Sequence, residues 1–329
     1  YHLLPLLPLG SAAVADSPYL PAASVPAERE PALGYAMVLT AASLFAVNGS
    51  VSKVVLESGL SSLRLTEARC AGALLGLATI VLARRPASLR IRSRELLFLA
   101  AFGVGGVALV QLFYFLAISR LAIGMSLLIQ YTAPLLVALW ARLVVKEPVR
   151  RRIWAALALA LVGLSVMVDV YTGVELSGLG LLFSLAAAVT FAAYLLLAER
   201  AVGRRDPTSL LAYGFLFASV FWAVVQPWWT FPWGAVARST SLLGNLAGVS
   251  LPVWALLAWV VVLGTIAPFL LIVEALRHLP ATKVGIVAML EPVLGTLVAF
   301  AWLDQTLGVE QLVGGALVLA AILLAQTAR

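Results

Sequence analysis

From about residue 33 to its end the chain alternates long apolar runs with short polar breaks. Ten runs are legible, at about 33–56, 63–83, 95–118, 123–145, 152–170, 177–199, 209–229, 253–276, 282–303 and 309–327. Each comes close to the ~20 residues that a helix needs to cross a hydrocarbon layer about 30 Å thick. None shows the period-two alternation of a barrel strand. The pattern predicts an all-α integral membrane fold of ten transmembrane helices.

The breaks are short except for Thr230–Pro252, which follows Trp228 and Trp229 and contains Trp233. Indole rings suit the headgroup layer, so a short interfacial helix is expected there. Residues 1–32, with Pro18, Pro21, Pro26 and Pro31, hold too short an apolar run to span. They read as a flexible cytoplasmic N-terminal tail. It lacks the basic start of a signal peptide, and a chain that begins at Tyr1 without Met suggests trimming.

The runs echo one another. A shift of 158 positions carries Ala117, Leu121, Pro134, Leu136, Leu139 and Ala141 onto Ala275, Leu279, Pro292, Leu294, Leu297 and Ala299. A shift of 146 carries Gly34, Leu39, Ala41, Ala42, Phe45 and Ala46 onto Gly180, Leu185, Ala187, Ala188, Phe191 and Ala192. The order of the helices repeats as well as their composition, which indicates duplication into units at 33–170 and 171–329. Five spans per unit is an odd number, so the second unit must start from the opposite face. The expected architecture is two inverted five-helix repeats with a site near the midplane between them.

Composition adds to this picture. With 63% hydrophobic residues, 11% charged residues and a mean hydropathy of +1.05, the chain has too little polar material to cover a water-soluble globule. The net charge of +7 does not point to nucleic acid. If the N-terminus is cytoplasmic, all Lys and Arg except Lys53, Arg64, Arg69, Arg120 and Arg238 fall on the inner side, which puts both termini in the cytoplasm. One cysteine, Cys70, allows no intramolecular disulfide, and two histidines leave little room for a metal centre or histidine catalysis. No cofactor is indicated, and no phosphate-binding GxxxxGK[ST] loop occurs.

Polar residues inside apolar runs are the candidates for chemistry. Glu291 lies about ten residues into its span, where an ionised side chain costs about 2.5–3.5 kcal/mol on insertion scales and should face the interior. It is either a proton carrier or a hydrogen-bonded link between helices. Asn48, Gln111, Tyr114, Gln130, Tyr131 and Tyr194 suit a cavity that orients a small amphipathic solute, although any one of them also suits interhelical bonding. Arg69 either meets a substrate carboxylate, pairs with Glu57 or Glu67, or reaches the headgroups. Pro134 and Pro292 free the carbonyls of Gln130 and Ala288 and mark kinks, and Pro268, four residues after Gly264, marks a hinge or a fixed kink. Gly72 and Gly76, with Gly103, Gly105, Gly106, Gly314 and Gly315, permit close helix packing.

The stretches YTAPLLVALWARLVVKEP, from Tyr131 to Pro148, and LEPVLGTLVAFAWLDQTLG, from Leu290 to Gly308, resemble the drug/metabolite transporter superfamily and, within it, the ten-helix proteins with two EamA-type domains. Arg69 is similar to an arginine common in the second helix of the first copy. The chain departs from the pattern at Gln305, with Asp304 beside it, where the family usually has Glu. The resemblance covers about 34–327 and implies a multi-pass carrier of the bacterial inner membrane, commonly an exporter of amino acids or other small metabolites. The expected function is a secondary transporter, not an enzyme, working by alternating access on a small-molecule substrate, with protons as a candidate coupling ion and membrane lipids as surroundings. The alternative is a lipid-handling, scramblase-like protein or a membrane enzyme.

Overall fold

The computed structural model describes residues 30–121, 123–168 and 177–327, side chains excepted at 123 and 124. The tail expected over 1–32 lies almost wholly outside the described residues, as does the unit boundary at 170/171. Nine helices among the described residues are long and apolar enough to cross a membrane: α1 Pro31–Glu57, α2 Ser62–Arg84, α3 Ser93–Ile118, α4 Met125–Val145, α6 Gly178–Val202, α7 Pro207–Val225, α8 Val253–Ala275, α9 Ala281–Leu303 and α10 Val309–Gln326. The remaining helix, α5, is described over Arg151–Met167. This agrees with the ten apolar runs.

Local chemistry sets where the helices start and stop. Pro31 and Pro207 open α1 and α7, where a missing amide hydrogen does no harm. Ser61, Ser177 and Asp206 accept from backbone amides in the first turns of α2, α6 and α7. α4 and α9 both end in a left-handed residue, Lys146 at φ 63° and Asp304 at φ 56°, which are 158 positions apart.

Packing follows the duplication. α2 packs on α7 and α5 on α10, while the contact of α3 with α6 is repeated by α8 with α1, and that of α4 with α6 by α9 with α1. Each helix thus meets the partners of the helix five places along, as two inverted copies require. Glycines make the close crossings. A Cβ on Gly163 would fall 2.7 Å from the Gly314 carbonyl oxygen, and Gly72 and Gly76 of α2 face Val261 and Ile266 of α8. One apolar core runs through both units, and large apolar side chains such as Leu75, Leu97, Leu182, Val224 and Leu323 face outward, as lipid demands.

The long connection between α7 and α8 holds more than the expected short helix. Beside Trp233–Val236 it forms an antiparallel hairpin of β1 Ser239–Ser241 and β2 Ser250–Pro252. Phe231, Leu242 and Val253 from this region pack with Val54, Leu60 and Leu65 in a second apolar cluster that covers one end of the bundle. Trp302 Nε1 donates to the Leu242 carbonyl at 2.8 Å, and Asn245 Nδ2 to the Ala301 carbonyl at 3.0 Å.

Candidate functional site

The two mid-span prolines produce interrupted helices. α4 is helical to Gln130, turns at Tyr131 and Thr132, and resumes at Ala133 with Pro134 in its first turn. α9 is helical to Ala288, turns at Met289, and resumes at Leu290 with Glu291 and Pro292 in its first turn. Proline has no amide hydrogen to return to the carbonyl four residues back, so each break follows from the sequence. The breaks lie 158 positions apart, the helices pack on each other, and Tyr131 OH donates to Glu291 Oε2 at 2.8 Å.

Around this bond lies a cavity of ≈ 150 Å³. α3 contributes Gln111, α4 Gln130 and Tyr131, α6 Tyr194 and α9 Glu291. Its apolar wall comes from Phe45 and Phe269, whose ring centroids are 5.6 Å apart, with Tyr194 at 5.7 Å from Phe269. Among the described residues, Gln111 Oε1, Gln130 Oε1 and Tyr194 OH have no hydrogen-bond partner. Buried polar atoms are nearly always satisfied, so three unpartnered ones at a single cavity are a feature to be accounted for.

Two expected site residues stand beside the cavity. Arg69 Nε donates to Thr265 Oγ1 at 3.1 Å and Nη2 to the Gly264 carbonyl at 3.4 Å. That carbonyl is the one Pro268 leaves free, in a wide π-type turn over Val262–Ile266. Asn48 presses on Gly264, with its Oδ1 unpartnered. Arg69 therefore pairs with neither Glu57 nor Glu67. Glu67, with its side chain 1% exposed, is taken by Arg64 at 2.7 Å, an i,i+3 pair whose spacing is visible in the sequence. Tyr114 does not line the cavity, although it and Arg69 interact electrostatically with Glu291.

Phe45, Phe191 and Phe269 are aromatic lining residues that sequence reasoning missed, since an aromatic ring in an apolar run carries no signal of which way it faces. Among the described residues, no group of three or more His, Cys, Asp or Glu is placed to hold a metal ion.

Toward the other end, a polar vestibule of ≈ 610 Å³ is lined by Glu147, Arg150, Glu199, Thr282 and Lys283. Glu199 accepts from the Ala281 amide at the start of α9 at 2.8 Å. An apolar layer separates the vestibule from the cavity: a Cβ on Gly285 would lie 2.8 Å from Pro134 Cγ and 3.4 Å from Leu195 Cδ1.

Comparison with known proteins agrees with this arrangement. The chain is 29% identical over 276 residues to the threonine/homoserine exporter RhtA of Escherichia coli K12, covering 83% of this chain and 82% of that protein. RhtA of Salmonella typhimurium LT2 is 29% identical over 262 residues, 78% of each chain. An uncharacterized transporter of Archaeoglobus fulgidus is 28% identical over 235 residues, 70% of this chain and 76% of that one. A crystal structure of another protein superposes with a TM-score of 0.72 at 18% identity, covering 89% of this chain and 96% of the other, a likeness of fold alone. The EamA-like transporter family matches twice, over residues 32–169 and 178–327, one match to each half of the bundle. This is a multi-pass membrane transporter and not an enzyme, within the drug/metabolite transporter superfamily. A duplicated five-helix unit, matched at both copies and folded so that the copies share one cavity, places the chain in the EamA-like transporter family.

Proposed function

We propose that the protein exports a small amphipathic metabolite, an amino acid in the first instance, by alternating access about the cavity between α4 and α9. The observation that carries this reading is the set of three unpartnered polar atoms, on Gln111, Gln130 and Tyr194, beside the Tyr131–Glu291 bond. In the bound state Glu291 meets the substrate's ammonium, the amides and phenols meet its remaining polar groups, and Phe45 and Phe269 hold its apolar part. Arg69, engaged by Thr265 and Gly264, lends its positive charge to the substrate carboxylate from beside the cavity. A cavity of about 150 Å³ admits a benzene-sized guest, which is the scale of a small amino acid. The relatives named as threonine/homoserine exporters support the same class. On this reading the membrane is a bacterial inner membrane, both termini lie in the cytoplasm, which the distribution of Lys and Arg supports, and Glu291 exchanges a proton for substrate.

The test is flux of threonine, homoserine and larger amino acids in sealed proteoliposomes with and without a proton gradient. Glu291→Gln should lower flux roughly 100-fold and remove the gradient dependence, and Tyr131→Phe should lower it roughly tenfold, since bonds to charged groups are worth about 1.5–3 kcal/mol. Flip of labelled lipid without solute flux in the same vesicles would replace this reading with a lipid-handling one.

A further inference from the structure

Away from the cavity, α4 and α6 leave a groove of ≈ 490 Å³ on the outer surface. It is lined by Leu136, Leu139 and Leu143 of α4 and by Val189, Ala193 and Leu197 of α6. At one end the Arg200 guanidinium lies over the Trp140 ring, 5.6 Å from its centroid. Arg200 also belongs to an adjoining hollow of ≈ 620 Å³, where the start of α3 meets the end of α6, lined by Arg94, Arg204 and Arg205 with Glu95 and Phe98. Neither the groove nor the hollow shares a lining residue with the transport cavity.

The charges in the hollow do not cancel. Arg205 is held by Glu95 at 2.8 Å and by the Ser88 carbonyl at 2.8 Å. Arg94, Arg200 and Arg204 make no ion pair among the described residues. Three guanidiniums without an ion pair thus sit at the ends of spans, and Arg200, which also borders the vestibule that holds Glu147 and Glu199, joins the hollow to an almost wholly apolar slot.

We infer that this groove and hollow bind one anionic phospholipid, with an acyl chain along the slot between α4 and α6 and the phosphate on Arg200, Arg204 and Arg94. Charge complementarity selects the occupant. A zwitterionic headgroup would bring an ammonium among three arginines, and a free phosphate would leave the slot unused. Basic pockets between helix ends are the usual form of such sites, and each arginine near the surface strengthens binding of an anionic lipid about fivefold.

The experiment titrates delipidated full-length protein in detergent with phosphatidylglycerol, phosphatidylcholine of the same chains, or glycerol 3-phosphate, and reads bound lipid by native mass spectrometry alongside the thermal unfolding midpoint. Phosphatidylglycerol should bind one to one, at least about tenfold more tightly than phosphatidylcholine, and raise the midpoint. Arg200→Gln with Arg204→Gln should weaken it by about tenfold to thirtyfold, whereas Arg142→Gln with Arg151→Gln, an equal loss of exposed charge elsewhere, should not. Ala193→Phe fills the slot with every charge kept and should weaken binding as well. If that variant does not fold, the exposed arginine pair and its control decide the matter. Equal binding of phosphatidylcholine, an equal shift with glycerol 3-phosphate, or equal losses in the two arginine pairs would each overturn the assignment.

Discussion

At the break in α4 the chain reads Gln130-Tyr131-Thr132-Ala133-Pro134, and 158 positions later, at the break in α9, it reads Ala288-Met289-Leu290-Glu291-Pro292. The backbone course is alike in both, although α4 turns over two residues and α9 over one. Each helix stops, turns, and restarts with proline in its first turn. Each ends in a left-handed residue, after which the next amide reaches back to Ala141 at 2.9 Å or to Ala299 at 3.4 Å. The side chains differ: the first copy supplies an amide and a phenol, the second a carboxylate, and Ala133 occupies the position equivalent to Glu291. The duplicated part is therefore the backbone framework, and the polar side chains of the cavity lie where the copies diverged. Two carboxylates facing one another at the centre would repel, so the divergence also lets a single charge reside there.

The hardest strain on that comparison is to exchange the two positions, in Ala133→Glu with Glu291→Ala. Ala133 is fully buried against its neighbours, so a carboxylate there meets the full insertion cost of about 2.5–3.5 kcal/mol. Folded yield and flux should both collapse, whereas a variant that transports at the parental rate would show that the backbone break alone makes the site. A smaller effect should separate two glycines of α9. Gly285→Val drives a methyl into Pro134 and should cost about 1–3 kcal/mol in detergent unfolding. Gly295→Ala meets nothing within 4 Å and should gain up to about 1 kcal/mol. Losses of equal size would mean that the α4–α9 contact does not hold the halves together. The smallest effect belongs to the helix ends: Lys146→Gly should stabilise by roughly 0.4–1 kcal/mol, and Asp304→Gly by less, because aspartate tolerates the left-handed region better than lysine does.

Much of this arrangement is legible in the sequence because a lipid-embedded chain spells out its spans as apolar runs. The duplication and the breaks follow from register and from proline. Gln111, Gln130, Tyr131, Tyr194 and Glu291 converge because polar residues in such runs must face inward, and they do. The partner of Arg69 was within reach by the same rule that marks Gln130 and Ala288, since counting four back from Pro268 gives Gly264. Other parts are silent for physical reasons. A phenylalanine on the cavity wall is chemically the same as one facing lipid, so nothing marks Phe45, Phe191 and Phe269 as wall residues, even though the first two match in the repeat. The hairpin over 239–252 lies outside the bilayer, where hydropathy carries no information on pairing.

That hairpin region is also a strap. From the second unit it reaches the first through Arg64 of α2, which donates to the Pro227 carbonyl at 3.2 Å and to Thr230, and it is fastened to α9 through Trp302 and Asn245. Whichever half keeps hold of it, the other must let go before the covered end can part. The stretch at the equivalent place in the first unit, between α2 and α3, is only Arg85–Arg92, yet it too is tied to the other unit: Arg85 pairs with Asp206 at 2.7 Å, Arg205 and Ser209 donate to the Ser88 carbonyl at 2.8 and 2.7 Å, and Tyr213 donates to the Leu89 carbonyl at 2.6 Å. Each end of the bundle therefore carries its own clasp between the units, an apolar cover with hydrogen bonds at one end and a compact set of ion-paired and hydrogen-bonded loops at the other.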